Sequence, residues 1–283
     1  MQGNPKQINI DTENIVTTDF IRVLFIGDIV GKSGRFAVRD LLGQLKDQYK
    51  PEFVIANGEN AAHGIGITED IADFLFDCGI DVLTSGNHIW DQRSIIDHIK
   101  NEKRLLRPAN YSPSAPGSGY GIFNSAAGRN IAVINLEGRV FMKGLIDSPF
   151  VIGKNIIENI RNDNDCDAII VDFHAEATSE KEALAFYFDG DISAFIGTHT
   201  HVQTNDAMIL PKGTSYITDV GMVGSKFSVI GAQKDIAINK YLTGMPAKFI
   251  PEEKNIILNA VLVTIDPLSK LSKDIRKIFI DFS

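Results

Sequence analysis

IRVLFIGDIVGKSGRFAVRDLLGQLKDQYKPEFVIANGEN, residues 21–60, reads as strand, helix, strand. Ile21 to Ile26 is a short apolar, β-branched run of the length that suits a buried strand. Val38, Leu41, Leu42, Leu45 and Tyr49 then recur at helical spacing, and Phe53 to Ala56 is a second apolar run. Strands alternating with helices predict an α/β sheet.

The same pattern continues outward. Further apolar runs span Val82 to Leu83, Ile131 to Leu136, Ala168 to Phe173, Ala194 to Ile196 and Tyr216 to Ile217. Ile71, Leu75 and Cys78 have helical spacing after Thr68, a candidate N-cap. Ser112 to Gly121, SPSAPGSGYG, is loop, because its Pro and Gly content disfavours helix and strand alike. Ile256 to Ile265 and Ile275 to Ile280 read as two strands that pair around a Pro-Leu-Ser turn.

At about 150 residues per domain, 283 residues allow one large domain or two small ones. The strand pattern on both sides of the Ser112–Gly121 loop favours one domain, residues 21–283, behind a flexible N-terminal extension, residues 1–20. A content of 44 % hydrophobic and 23 % charged residues fits an ordinary globular protein and excludes a disordered or fibrous one. No apolar run approaches the roughly 20 residues that span a bilayer, and residues 1–19 lack the apolar segment of a signal peptide. No membrane partner and a cytoplasmic location are therefore expected. Cys78 and Cys166 stand apart without Cys-x-x-Cys spacing and read as core residues, not as a zinc ribbon or disulfide framework. With 28 basic against 36 acidic residues, the net charge is −8, and no basic run stands out. That argues against long nucleic acid as a partner, yet permits a small anion held by a local metal charge. Homo-oligomerisation is left open.

The informative residues follow the apolar runs. Ile21–Gly27 delivers Asp28; Phe53–Ala56 delivers Asn57, Gly58, Glu59 and Asn60; Val82–Gly86 delivers Asn87 and His88. Val171–Phe173 delivers His174, and Phe195–Thr198 delivers His199 and His201. In open α/β sheets ligands bind at the carboxyl ends of strands, so these scattered groups are expected to converge. Asp, Glu, Asn and several His without a thiolate suit a hard or borderline divalent metal. So many such groups exceed the needs of one ion. Two ions about 3.5–4 Å apart, bridged by a carboxylate, are the usual device for phosphate-ester hydrolysis.

GDIVG (27–31), NGENAAHG (57–64), GNHIWD (86–91), DFHAEATSEK (172–181) and GTHTHVQT (197–204) resemble the ordered motifs of the calcineurin-like metallophosphoesterases. More narrowly, the chain is similar to their YmdB-type bacterial branch, described as 2′,3′-cyclic-nucleotide phosphodiesterases. RPAN (107–110), ILPKGT (209–214) and YITDVGMVG (216–224) extend the match from about Ile21 to the C-terminus. The resemblance implies a layered α/β/β/α sandwich of two packed mixed sheets. It also implies a binuclear metal-dependent phosphodiesterase that opens small cyclic nucleotides, 2′,3′-cyclic species above all, by metal-hydroxide attack. By resemblance, Asp28, Glu59, Asn60 and His201 hold the first metal and Glu59, Asn87, His174 and His199 the second, with Glu59 as bridge. His88 is then the general acid at the leaving oxygen.

Two departures matter. The superfamily's first motif, Asp-x-His, reads Asp28-Ile29-Val30, and its bridging Asp is Glu59. Asn60 replaces the missing imidazole, and an oxygen for a nitrogen tilts that position toward iron or manganese and away from zinc. Two other functions fit the same motifs: a phosphomonoesterase or protein phosphatase, and a metal-bound nucleotide sensor or scaffold with little turnover.

Local readings stay open beside these. Asp28 suits a helix cap and Asn87 a turn. His63 fits the pocket or a structural role, His98 a solvated helix face, and Trp90 packing below the site or base stacking. Glu176, Thr178, Ser179 and Glu180 suit capping of the next helix, orientation of His174, or substrate contact. GDIVGKS (27–33) is one residue short of a phosphate-binding GxxxxGKS loop, although Lys32, Ser33 and Arg35 stand where a helix start binds phosphate.

Overall fold

The computed structural model describes residues 20–163 and 166–282. The expected N-terminal extension, all but its last residue, lies outside them. In chain order, β1 (Ile21–Ile26) and β2 (Asp28–Ile29) precede α1 (Gly31–Tyr49), followed by β3 (Phe53–Asn57) and α2 (Glu69–Asp77). Then come β4 (Val82–Thr84), α3 (Ile95–His98), β5 (Tyr120–Asn124), β6 (Asn130–Glu137) and α4 (Pro149–Asn162). The chain continues through β7 (Ala168–His174), α5 (Thr178–Phe188), β8 (Ala194–Thr198), β9 (Met208–Ile209) and β10 (Ser215–Ile217). It ends with β11 (Met222–Ser225), α6 (Lys234–Thr243), β12 (Ile256–Ile265) and β13 (Ser272–Phe282).

These strands make two mixed sheets. The first has the order β2-β11-β12-β1-β3-β4, with β13 paired to β12; the second has the order β5-β6-β7-β8-β10-β9. In the first, β1, β3 and β4 run parallel. In the second, β6, β7, β8 and β10 do.

The two-residue period of a strand divides its side chains between two cores. Ile21, Val23 and Phe25 of β1 meet Ile131 and Val133 of β6 and Ala168 and Ile170 of β7 between the sheets. Leu24 and Ile26 face the other way, onto Val38, Leu41, Leu42 and Leu45 of α1 and Leu75 of α2. On the far side, Val171 and Phe173 of β7 pack on Ile157 of α4 and Leu184 and Phe188 of α5. Each fully buried Phe, Leu or Ile contributes about 1.5–3 kcal/mol relative to exposure. The architecture is therefore helix, sheet, sheet, helix, as the resemblance implies.

Three local details differ from the sequence reading. Thr68 occupies the N-cap of α2 but makes no side-chain cap bond; Glu69 and Asp70 in the first turn favour the helix dipole instead. Tyr120 and Gly121, assigned to the loop, begin β5, which pairs only with β6 at the edge of its sheet, where Gly is tolerated. The C-terminal strands do pair antiparallel, but β13 is longer than its apolar run and reaches from Ser272 to Phe282. Among the described residues no helix is long and apolar enough to cross a membrane.

A candidate metal centre at the strand ends

Parallel strands aim their carboxyl ends at one edge, and there the two sheets meet. Asp28 begins β2 directly after Gly27, where a Cβ would stand 2.0 Å from the Gly221 carbonyl oxygen. Only glycine permits that approach. Glu59 and Asn60 lie in the turn after β3, and the Glu59 amide donates to Asn57 Oδ1 at 3.1 Å. Asn87 and His88 follow β4, while His174 is the last residue of β7. His199 and His201 follow β8 with φ of 104° and 65°. Non-glycine residues at positive φ cost of order 1–3 kcal/mol each and persist only where the surroundings impose them.

Two clusters of lone pairs result. In one, His174 Nε2 lies 2.8 Å from Glu59 Oε1 and 2.9 Å from His199 Nδ1, with the two imidazoles edge to face. Glu59, His174 and His199 offer ligand atoms all within 4.8 Å of one another. In the other, His201 Nε2 lies 3.2 Å from Asn60 Oδ1 and 3.8 Å from Asp28 Oδ1. Asp28 also reaches the first cluster, since its Oδ1 is 3.8 Å from His174 Nδ1 and its Oδ2 accepts the His199 amide at 3.3 Å.

Outer partners decide which atoms face inward. Asn60 Nδ2 donates to the Gly64 carbonyl at 3.1 Å, which turns Oδ1 toward His201. His201 Nδ1 donates to the Ile230 carbonyl at 2.8 Å, which leaves the Nε2 lone pair facing Asn60 and Asp28. Three acceptor atoms, Asn60 Oδ1, Asp28 Oδ1 and His201 Nε2, thus converge, which is the chemistry of a cation site. Asp28 Oδ1 and Asn87 Oδ1 are buried and have no hydrogen-bond partner. Such orphaned oxygens are costly unless a ligand satisfies them. The all-oxygen and imidazole donor set fits divalent or iron-type ions.

The electrostatics agree with this division. Burial raises the Glu59 carboxyl, but the facing His174 outweighs it and holds Glu59 down to about 2. Burial likewise opposes charge on His174, yet Glu59 lifts it to about 9. Burial and the His174 charge push His199 down to about 3, so that imidazole is neutral. Burial pushes Asp28 well above the carboxylate range, against the pull of His174.

His88 stands at the mouth and is part exposed. Its amide donates to Glu59 Oε2 at 3.2 Å, and its Nδ1 is 2.6 Å from Asp91 Oδ2. Asp91 therefore orients the ring through Nδ1. Glu176 pairs with His199 Nε2 at 3.2 Å, not with His174. His174 is steadied instead by Thr198 Oγ1 at 2.9 Å, whose hydroxyl donates to Asp172. Glu180 accepts the Arg139 and Val140 amides and so holds the loop after β6.

The remaining expectations resolve one by one. His98 is not on a solvated face: its largely buried ring lies 3.6 Å from Glu69 and 3.8 Å from Asp73, both on α2 and away from the strand ends. His63 is exposed, at φ 55°. Trp90 stacks edge-on to Tyr111 and packs on the helix-side core. Asp28 caps no helix, since Val30 is the N-cap of α1. Ser33 and Arg35 donate to the Glu252 and Ala61 carbonyls, and Lys32 lies over the Phe36 ring. Cys166 is buried, whereas Cys78 is only part buried.

The sequence reading missed Glu137 at the end of β6, wholly buried beside Tyr111 and His174. Burial raises its carboxyl to about 7, against the pull of His174. The rule that found the other groups, a polar residue directly after an apolar run, points to it as well.

A family model described as YmdB-like protein matches residues 24–278. The chain is 46 % identical over 261 residues to a Bacillus subtilis (strain 168) protein named 2′,3′-cyclic-nucleotide 2′-phosphodiesterase, covering 92 % of this chain and 97 % of that one. It superposes with a TM-score of 0.85 on the crystal structure of a hypothetical protein from Thermus thermophilus, at 38 % identity, covering 92 % of this chain and 99 % of that one. A Mycoplasma pneumoniae crystal structure described as a novel phosphatase also gives 0.85, at 37 % identity and 93 % and 94 % coverage.

Proposed function

Because the chain belongs to the YmdB-like family, we propose that it is a metal-dependent phosphodiesterase that opens small cyclic nucleotides, 2′,3′-cyclic monophosphates by preference. The observation that carries this reading is the convergence of ligand-type oxygen and imidazole atoms at the strand ends, with two buried oxygens there, Asp28 Oδ1 and Asn87 Oδ1, that have no hydrogen-bond partner among the described residues. Asp28, Glu59, Asn60 and His201 hold one ion in this reading, and Glu59, Asn87, His174 and His199 the other. Iron or manganese suits the oxygen-rich first position better than zinc. Residues 21–283 act as one metallophosphoesterase domain, in the cytoplasm.

When bound, the ions supply Lewis-acid stabilisation of the phosphoryl oxygens and an activated water. The chain supplies the rest. Glu59, anionic to low pH, would lend its carboxylate to both ions. His174 and His199, edge to face, would both serve the second ion. His88, held through Nδ1 by Asp91, presents Nε2 to the departing ribose oxygen and gives it a proton. In a 2′,3′-cyclic substrate that oxygen stays tethered, and the product is a nucleoside monophosphate.

A second reading is a phosphomonoesterase, favoured by the phosphatase description of the Mycoplasma pneumoniae structure. Metal-reconstituted protein incubated with 2′,3′-cyclic AMP, 3′,5′-cyclic AMP and p-nitrophenyl phosphate separates the two. Preferential opening of the 2′,3′ ring, lost in Glu59→Ala, supports the diesterase. Faster cleavage of the monoester supports the phosphatase, and silence on all three with metal bound overturns both.

A further inference from the structure

Directly beneath the turn that carries His199 and His201 lies a wholly buried ion pair. Lys181 Nζ of α5 is 2.9 Å from Asp219 Oδ2, and neither side chain is exposed to solvent. Lys181 also donates to the Thr198 carbonyl at 2.7 Å, and Asp219 Oδ2 accepts the Thr200 amide at 2.9 Å. The other oxygen, Oδ1, accepts the Gly221 amide at 2.9 Å, and the Gly221 carbonyl in turn accepts the amide of Asp28 at 3.0 Å. One ion pair thus reaches the backbone on both sides of His199 and, through Gly221, the backbone of Asp28.

Stability alone does not call for charges here. Desolvation of two ions roughly cancels their attraction, and an apolar pair of similar volume is often as stable. What an apolar pair cannot do is hold the Thr198 carbonyl and the Thr200 amide, which flank a residue at φ 104°. We propose that Lys181, acting through Asp219, is a positioning residue that locks the 198–201 turn and Asp28 in the arrangement that receives metal, and thereby sets the metal affinity of the site. This rests on the reading of Asp28, His199 and His201 as ligands. Both side chains are wholly buried and spend their polar atoms on each other and on the backbone.

Outer partners of metal ligands are typically worth about 10- to 100-fold in affinity or activity. Metal-stripped protein titrated calorimetrically with Mn²⁺ is expected to lose about that much affinity in Lys181→Met, while saturating Mn²⁺ restores kcat with KM unchanged. The double variant Lys181→Met/Asp219→Asn removes the uncompensated charge, so its melting temperature recovers toward wild type. Its Mn²⁺ affinity stays low if the pair positions ligands. Wild-type affinity in either folded variant overturns the proposal, as does affinity that recovers together with melting temperature in the double variant. A wild-type protein that binds no Mn²⁺ overturns the ligand reading itself, and this proposal with it.

Discussion

Nε2 of His174 lies 2.8 Å from Oε1 of Glu59, and the two residues come from different sheets. His174 ends β7 in the second sheet, and Glu59 follows β3 in the first. The contact therefore closes the strand-end edge of the sandwich as well as one half of the proposed metal centre.

Glu59→Gln keeps the volume and removes the charge. In metal-free protein at pH 6, the buried His174 is left without its counter-charge, and breaking a buried pair costs about 3–5 kcal/mol. Urea denaturation of wild type and variant checks this, and equal midpoints would show that the pair does not hold the edge.

The pH dependence has a definite sign. His174 is raised from its ordinary 6.5 to about 9, so its contribution to metal-free stability is complete below about 6.5 and lost as pH rises through about 9. The stability difference between wild type and His174→Asn should shrink across that window. His199 acts in the opposite sense. Its folded value near 3 means that the unfolded chain takes up a proton below about 6.5 that the folded chain refuses, so the metal-free protein loses stability as acid is added. Because a metal displaces the His174 proton, Mn²⁺ affinity is expected to climb as pH rises toward 9.

His88→Ala should retain metal and lose about 10²- to 10⁴-fold in kcat, the usual worth of a general acid. Asp91→Asn should fall between that variant and wild type, because it leaves the imidazole in place but loosens its aim. Metal content measured beside kcat decides the matter: loss of metal in His88→Ala would make His88 a ligand or its support.

Gly86→Ala tests the close packing around the centre. A Cβ there would stand 2.1 Å from His174 Cδ2 and 2.4 Å from Glu59 Oε2. Overpacking of this kind typically costs about 1–3 kcal/mol. The larger expected effect is on metal binding, since both displaced side chains are proposed ligands, and unchanged Mn²⁺ affinity would argue against their roles.

Much of this was legible along the chain because the fold rests on short apolar runs that end abruptly in polar residues. Ile21–Ile26 is β1 to the residue, and Ala168–Phe173 falls one residue short of β7, whose last member is His174 itself. The strands β2 and β11 were not legible. They have two and four residues and exist by pairing with each other and with β12, which no local pattern announces. His98 was misread because its carboxylate neighbours Glu69 and Asp73 lie on another helix. Asp219 was within reach, as it closely follows the run Tyr216–Ile217. Its bond to Lys181, 38 residues away, belongs to tertiary structure alone.

The most direct test follows Mn²⁺ binding and 2′,3′-cyclic AMP opening together in metal-stripped wild type and Glu59→Ala. The account predicts two ions bound per wild-type chain, with turnover appearing as the second position fills, and neither paired binding nor turnover in the variant. Turnover by wild type kept free of metal, or a Glu59→Ala protein that binds two ions and still opens the ring, would contradict it.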